Sequence, residues 1–389
     1  MRAARRITDL PPYPFASLGR VVAGLVASGV DVIRLDIGSP DLPPDNSIID
    51  ALQRSASRPN QHGYGGYTGT KQFRQAVTLY YANRFSVQVD PETEVIPLLG
   101  SKEGIANMAT AWLDPGDVAL VPDPGYPTYS MGPVMAGAEY YAMPLLEEND
   151  FLPDLAAIPS DVLRRSRLMW LNYPNNPTGV AAPEGYLKSV VDFCKAHELL
   201  LCFDAPYADN TYDGYRAPSI LAIPGAMDVA LEFNSLSKSH NLAGWRVAMA
   251  VGNREAVKAL GLVKSNVDSG IALPVQEMAI EALTGDQSWL DARNRVYAER
   301  MEVTIDALKR MGLGVRRPAG AIYIWTPVPE GWTSARFCQE LLQHTGVSLA
   351  PGSAFGDYGE GYARISLVQP AERIREAMQR WEAWWAGRS

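Results

Sequence analysis

Cysteine is scarce in this sequence: Cys194, Cys202 and Cys338 are the three among 389 residues. An odd number without a C-x-x-C pair supplies neither a disulfide framework nor a zinc site, and the four histidines are scattered. No metal site is expected, and a reducing cytoplasm fits best. Positive charge is also in short supply. Lys and Arg total 35 against 43 Asp and Glu, and the formal charge of -8 gives no electrostatic case for nucleic acid or an anionic membrane. Small molecules are the expected partners. Long apolar runs are missing as well. Arg2, Arg5 and Arg6 run into Leu10-Pro11-Pro12-Tyr13-Pro14, and the next apolar stretch is broken by Arg20, Gly24, Gly29 and Asp31. That is no signal h-region, and no run approaches membrane-spanning length. Repeats and low-complexity linkers are absent too, which argues against flexibly tethered modules.

What the chain does contain is an alternation of apolar strands and helices between about 95 and 251. This implies an α/β fold with a doubly wound, mostly parallel sheet whose ligand site lies at the strand ends. Residues 254–311 read as helical and long. Strands near 322–325 and 362–367, with helices near 333–344 and 371–385, read as a smaller α+β lobe. The first forty residues read as an arm, with a helix near 19–28, a strand over 32–37 and a sharp turn at Gly38-Ser39-Pro40-Asp41. The expected division is an arm over 1–45, a large domain over 46–285 and a small one over 286–389.

The chemistry centres on the stretch from Phe233 to Arg246. Lys238 lies there among Ser235, Ser237 and Ser239, in a polar turn between the apolar runs 229–233 and 246–251. A lysine amine becomes a nucleophile toward an aldehyde when burial and neighbouring cations lower its pKa. Arg246 could supply such a cation and also grip a phosphate with its planar fork. Taken alone, S-x-S-K reads better as a solvated loop lysine with incidental serines.

Other segments add to it. Gly100-Ser101-Lys102 follows an apolar strand and opens a helix, whose N-terminus favours an anion. Asp204 ends the apolar strand 199–203, where a carboxylate is costly without a positive partner. Asn175-Asn176-Pro177-Thr178-Gly179 fixes a rigid turn at another strand end. Arg364 sits inside the otherwise apolar strand 362–367 and needs an anion, either a carboxylate ligand or a structural ion pair.

In their order along the chain these segments resemble the class I/II aminotransferases, which carry pyridoxal 5'-phosphate (PLP) on fold type I. The resemblance runs from Gly38 to Arg364. It implies that Lys238 is the cofactor lysine, with Ser101, Lys102, Ser235, Ser237 and Arg246 around the phosphate. Tyr126, in Pro124-Gly125-Tyr126-Pro127, would stack on the pyridine, and Asp204 would pair with the ring nitrogen. Asn176 and Tyr207 would meet the phenolic oxygen, and Arg364 would take the substrate α-carboxylate close to the Gly38 backbone. Tyr64, five residues before Gly69, would reach the phosphate of the neighbouring subunit, making the active unit a homodimer.

The implied reaction is a ping-pong transamination between an L-amino acid and a 2-oxo acid. Val263-Lys264-Ser265-Asn266-Val267-Asp268-Ser269-Gly270 contains no arginine for a distal carboxylate. Together with 63–70 and 349–356, this run looks most like bacterial LL-diaminopimelate aminotransferases, which implies a place in lysine biosynthesis with glutamate and 2-oxoglutarate as the other couple. A broad aspartate or alanine aminotransferase, a PLP β-lyase and a non-catalytic PLP-binding sensor are the alternatives. Against the sensor, only about forty residues precede Gly38, with no helix-turn-helix pattern.

Overall fold

Alternation within single strands explains why the central sheet is covered on both faces. In Ser166–Asn172, Leu168 and Trp170 pack into one apolar cluster while Met169 and Leu171 pack into another. The computed structural model describes residues 3, 5–8, 10–11 and 13–387; Arg2, of the N-terminal arginines, lies outside them. Its main sheet has seven strands in the order Val95–Leu98, Ala248–Gly252, Ala230–Ser235, Leu200–Asp204, Ser166–Asn172, Val118–Asp123, Glu139–Pro144. The last five are mutually parallel, and Ala248–Gly252 runs antiparallel to both of its neighbours.

The chain leaves Val118–Asp123 for the edge strand, then returns to its other side at Ser166–Asn172. Strand order therefore reverses between these two, and a crevice opens beyond their carboxyl ends. The edge strand Glu139–Pro144 was not foreseen. It is half-exposed and tyrosine-rich, so its apolar pattern is weak.

A second, three-stranded antiparallel sheet orders Ala350–Pro351, Tyr362–Ser366 and Tyr323–Pro327. Tyr297, Met301 and Ile305 of the helix Trp289–Arg310 and Ile374, Met378 and Trp381 of Ala371–Ala386 share one core with Ile324 and Ile365. The N-terminal segment joins this part of the molecule, because Ile33–Arg34 pairs in parallel with Val347–Ser348. The strand read over 32–37 is that short because its partner offers only two residues. The helix read near 19–28 instead begins at Pro14, whose fixed φ suits a first helical turn.

The helical stretch 254–311 divides into Arg254–Val267, Leu273–Thr284 and Trp289–Arg310. Its first break receives the glycine-rich loop 63–70. Gln276 Oε1 accepts from Thr70 N at 2.7 Å, and a Cβ on Gly65 would lie 1.9 Å from the Ile271 carbonyl oxygen. That loop is therefore held by its backbone.

Lys264, on Arg254–Val267, is buried between Glu103 at 3.1 Å and Asp268 at 2.8 Å. It fastens this helix to Ser101–Trp112, which opens onto the crevice. Removing one member of a buried ion pair leaves uncompensated charge. Lys264→Met is accordingly expected to lower the unfolding free energy by about 3–5 kcal/mol. Urea denaturation measures it, and a loss below about 1 kcal/mol, the value of a surface pair, would contradict the structural role.

Candidate active site

The crevice is a cavity of about 580 Å³ at the carboxyl ends of the parallel strands. Twelve of the thirteen site residues named from the sequence line it: Gly38, Ser101, Lys102, Tyr126, Asn176, Asp204, Tyr207, Ser235, Ser237, Lys238, Arg246 and Arg364. Tyr64 does not. It stands 88% exposed on the loop that Gln276 clamps.

Lys238 lies in a one-turn helix, Leu236–Ser239, rather than in an irregular turn. Ser235 caps that helix by accepting from Ser237 N at 3.3 Å. Arg293 holds its far end, donating to the carbonyls of Lys238, at 3.3 Å, and Ser239, and to Asp209 O at 2.6 Å. The lysine backbone is thus fixed from both sides. Its Nζ donates to the Gly38 carbonyl, and the turn carrying Gly38 is anchored by Arg300, which grips Asp41 through two bonds of 2.7 and 2.8 Å. Burial lowers the Lys238 pKa, Tyr323 opposes that, and Arg364 and Arg246 reinforce it. The result is an amine poised to lose its proton.

Asp204 ends the strand Leu200–Asp204 and is 5% exposed. Tyr129, stacked on Trp170, donates to its Oδ2 at 2.6 Å, while Oδ1 has no partner among the described residues. Burial pushes this carboxyl up to about 7, with Tyr129 and the Lys238 charge opposing. A buried carboxylate with one oxygen free fits a cationic donor such as a protonated ring nitrogen.

The opposite charge is Arg364, 4% exposed. Its Nη1 donates to Asn176 Oδ1 at 2.9 Å and its Nη2 to Asp36 O at 2.8 Å, and its Nε is unpartnered. Among the described residues it has no carboxylate partner. The ion-pair alternative therefore fails, and a guanidinium held only by neutral oxygens fits an incoming carboxylate.

Asn176 owes its position to Asn172, whose Oδ1 accepts from Asn176 N at 2.7 Å and whose Nδ2 donates to Asp204 O at 2.6 Å. With its own Oδ1 committed to Arg364, Asn176 keeps its Nδ2 to donate. The anion end is equally formed. Arg246 Nη1 donates to Ser237 Oγ at 3.4 Å, and Gly100, at φ +81°, lets the guanidinium approach the start of Ser101–Trp112. A Cβ there would lie 2.1 Å from Arg246 Nη2. Helix N-terminus, hydroxyls and guanidinium together fit a phosphate.

The model for the family described as Aminotransferase class I and II matches residues 30–380. The chain belongs to that family. It is a transaminase with the class I aminotransferase fold. Over 380 residues it is 48% identical to the LL-diaminopimelate aminotransferase of Moorella thermoacetica, covering 98% of this chain and 97% of the other. It is 44% identical to the protein of the same name from Gloeobacter violaceus, with 98% of each covered. Among solved structures, substrate-bound BacF from Bacillus subtilis gives a TM-score of 0.95 at 36% identity over 99% of this chain and 98% of that one.

Sequence reasoning missed Tyr13, Tyr129, Asn172 and Tyr323, which also line the transaminase cavity. Tyr13 comes from the N-terminal segment and lies 4.4 Å from the Lys102 ammonium. Tyr13, Asn172 and Tyr323 stood in stretches read as an arm or as strands, and Tyr129 lies just beyond the turn that carries Tyr126. All four reach the site through tertiary packing, which composition and periodicity do not show.

Asp204 makes the unliganded transaminase sensitive to pH. Its pKa of about 7 lies above the unfolded value of about 3.9, so the folded chain holds this proton more tightly. The resulting stability is fully present below about 3.9 and is lost as pH rises through about 7. Asp204→Asn removes that loss. The unliganded variant is expected to be more stable than the parent at pH 8 by about 2–4 kcal/mol, with the gap shrinking toward pH 5. Urea denaturation at the two pH values checks this, and an Asn variant no more stable than the parent at pH 8 would contradict it.

Proposed function

We propose that the chain is a PLP-dependent aminotransferase that takes the amino group of LL-diaminopimelate and passes it on through the glutamate and 2-oxoglutarate couple. The observation that carries this reading is a buried carboxyl, Asp204, and a buried guanidinium, Arg364, neither with a salt-bridge partner among the described residues, in one cavity with the Lys238 amine. When bound, PLP supplies an aldehyde that takes up the amino group and a cationic ring that draws electrons from the substrate Cα.

The residues of the chain do the rest. Asp204 would keep the ring nitrogen protonated, and Tyr126 would cover the ring. Asn176 Nδ2 and Tyr207 would donate to the phenolic oxygen. Ser235, Ser237, Arg246 and the backbone of Ser101 and Lys102 hold the phosphate. Arg364 receives the α-carboxylate beside Gly38, which brings the substrate Cα within reach of Lys238. The Lys238 amine would then move the proton from Cα, and burial, which lowers its pKa, favours the neutral amine that this needs.

Substrate choice is supported by the near full-length likeness to LL-diaminopimelate aminotransferases. It also agrees with Lys102, which lines the cavity and among the described residues has no carboxylate partner, leaving a cation for a second carboxylate. Lys264 is committed to Glu103 and Asp268 and is not available for that role. Tyr64, exposed on a loop with a fixed backbone, is read as reaching a neighbouring subunit's phosphate, so the active form is a homodimer. Residues 46–285 form the large domain in this reading, and 286–389, with the arm, the small one. No helix among the described residues is long and apolar enough to cross a membrane, which agrees with a cytoplasmic enzyme of lysine biosynthesis.

LL-diaminopimelate added to the holoenzyme without a keto acid is expected to abolish the visible absorbance of the aldehyde cofactor. Glutamate should do the same, and Lys238→Ala should do neither. A response to alanine or aspartate instead would select a broader aminotransferase, and the absence of any visible band would sink the cofactor assignment. Arg364→Lys, which replaces a fork by a point charge, is expected to raise KM for each amino donor about 10- to 100-fold. Steady-state kinetics measure this, and an unchanged KM would remove Arg364 from the carboxylate site.

A further inference from the structure

Tyr323 belongs to the strand Tyr323–Pro327, opposite Ser366, while Arg364 lies opposite Trp325. The two side chains are therefore diagonal neighbours on one sheet face. The Tyr323 ring centroid is 4.1 Å from the Arg364 guanidinium carbon, a cation–π distance. Its hydroxyl leaves the three-stranded sheet and meets the Tyr207 hydroxyl at 3.0 Å, on the loop following the main-sheet strand Leu200–Asp204. The same hydroxyl lies 3.4 Å from the Gly38 carbonyl, which also accepts from Lys238. One phenol thus touches the carboxylate arginine, the tyrosine of the phenolic oxygen and the acceptor of the lysine. It is almost fully buried.

We propose that Tyr323 is a positioning residue with two separable parts: its ring seats Arg364, and its hydroxyl donates to Tyr207 when Tyr207 donates to the cofactor's phenolic oxygen. A hydroxyl carries a single proton but accepts through two lone pairs. If Tyr207 gives its proton to that oxygen, it needs another donor behind it, and Tyr323 is the neighbour that can serve. A chain of two such bonds strengthens the terminal one. Lys238, Arg364 and Tyr207 face the Tyr323 hydroxyl directly, and Tyr297 of the helix Trp289–Arg310 lies behind it. Burial pushes the phenol up, yet the charges of Lys238 and Arg364 and the Tyr207 bond outweigh this and bring it below its ordinary value. Burial raises Tyr207 instead.

The inference rests on the PLP reading, and its test separates the two. The visible band of the bound cofactor is titrated against pH in the parent, Tyr323→Phe, Tyr207→Phe and the double variant. Tyr323→Phe, which keeps the ring, is expected to raise the pKa of the band and lower kcat about tenfold while leaving KM for the amino donor unchanged. In the Tyr207→Phe background it should have no further effect on that pKa. Tyr323→Leu, which also removes the ring, should in addition raise KM about tenfold. A band that titrates identically with and without the Tyr323 hydroxyl overturns this inference alone, as does an equal shift in the Tyr207→Phe background. A parent that binds no PLP overturns both readings.

Discussion

Two buried ionisable groups with no salt-bridge partner among the described residues govern this molecule. Among the described residues, Asp204 keeps an oxygen with no donor and Arg364 a guanidinium with no anion, both in one cavity. In water such groups would be solvated; buried in protein, each costs several kcal/mol until a partner arrives. The scaffold holds them apart and does not let them neutralise each other. Arg364 is held by Asn176 and the Asp36 carbonyl, and Asp204 by Tyr129. Asn172 ties the two arrangements together through Asn176 N and Asp204 O. An aminotransferase needs this separation, because a cationic ring must meet the anion while an anionic carboxylate meets the cation.

The fold supplies rigidity where the chemistry demands it. Asp204 and the Asn172–Asn176 turn hang from the carboxyl ends of adjacent parallel strands, next to the reversal in strand order. Lys238 follows the next strand, and Arg293 pins its backbone. Arg364 comes from the other sheet, so the site closes only where the two sheets face one another. Tyr323 and Tyr207 make the direct hydroxyl contact across that gap. The parts of the cavity supplied by the two sheets are therefore mechanically connected.

Much of this was legible in the sequence. The apolar runs ending in Asp204 and Asn172 read as strands, and an arginine inside the apolar run 362–367 read as a buried cation. Such signals are local and hold wherever the chain goes. What escaped were residues defined by contacts far along the chain. Tyr129 meets Asp204 across 75 positions and Tyr323 meets Tyr207 across 116, and neither separation leaves a mark in composition or periodicity. The edge strand Glu139–Pro144 escaped for a different reason. With one face open to solvent, its residues need not be apolar. Lys264, quoted only as part of a run without arginine, is a buried structural cation, which its polar neighbours did not signal.

The central claim is that this constellation exists to hold PLP on one particular amine. Borohydride reduction of the PLP-loaded protein, followed by peptide mass mapping, tests it most directly, because reduction makes the lysine–cofactor link permanent. The phosphopyridoxyl group is predicted on the peptide carrying Lys238 and on no other. Labelling of Lys102 or Lys264 in place of Lys238, or of no lysine at all, would contradict the account.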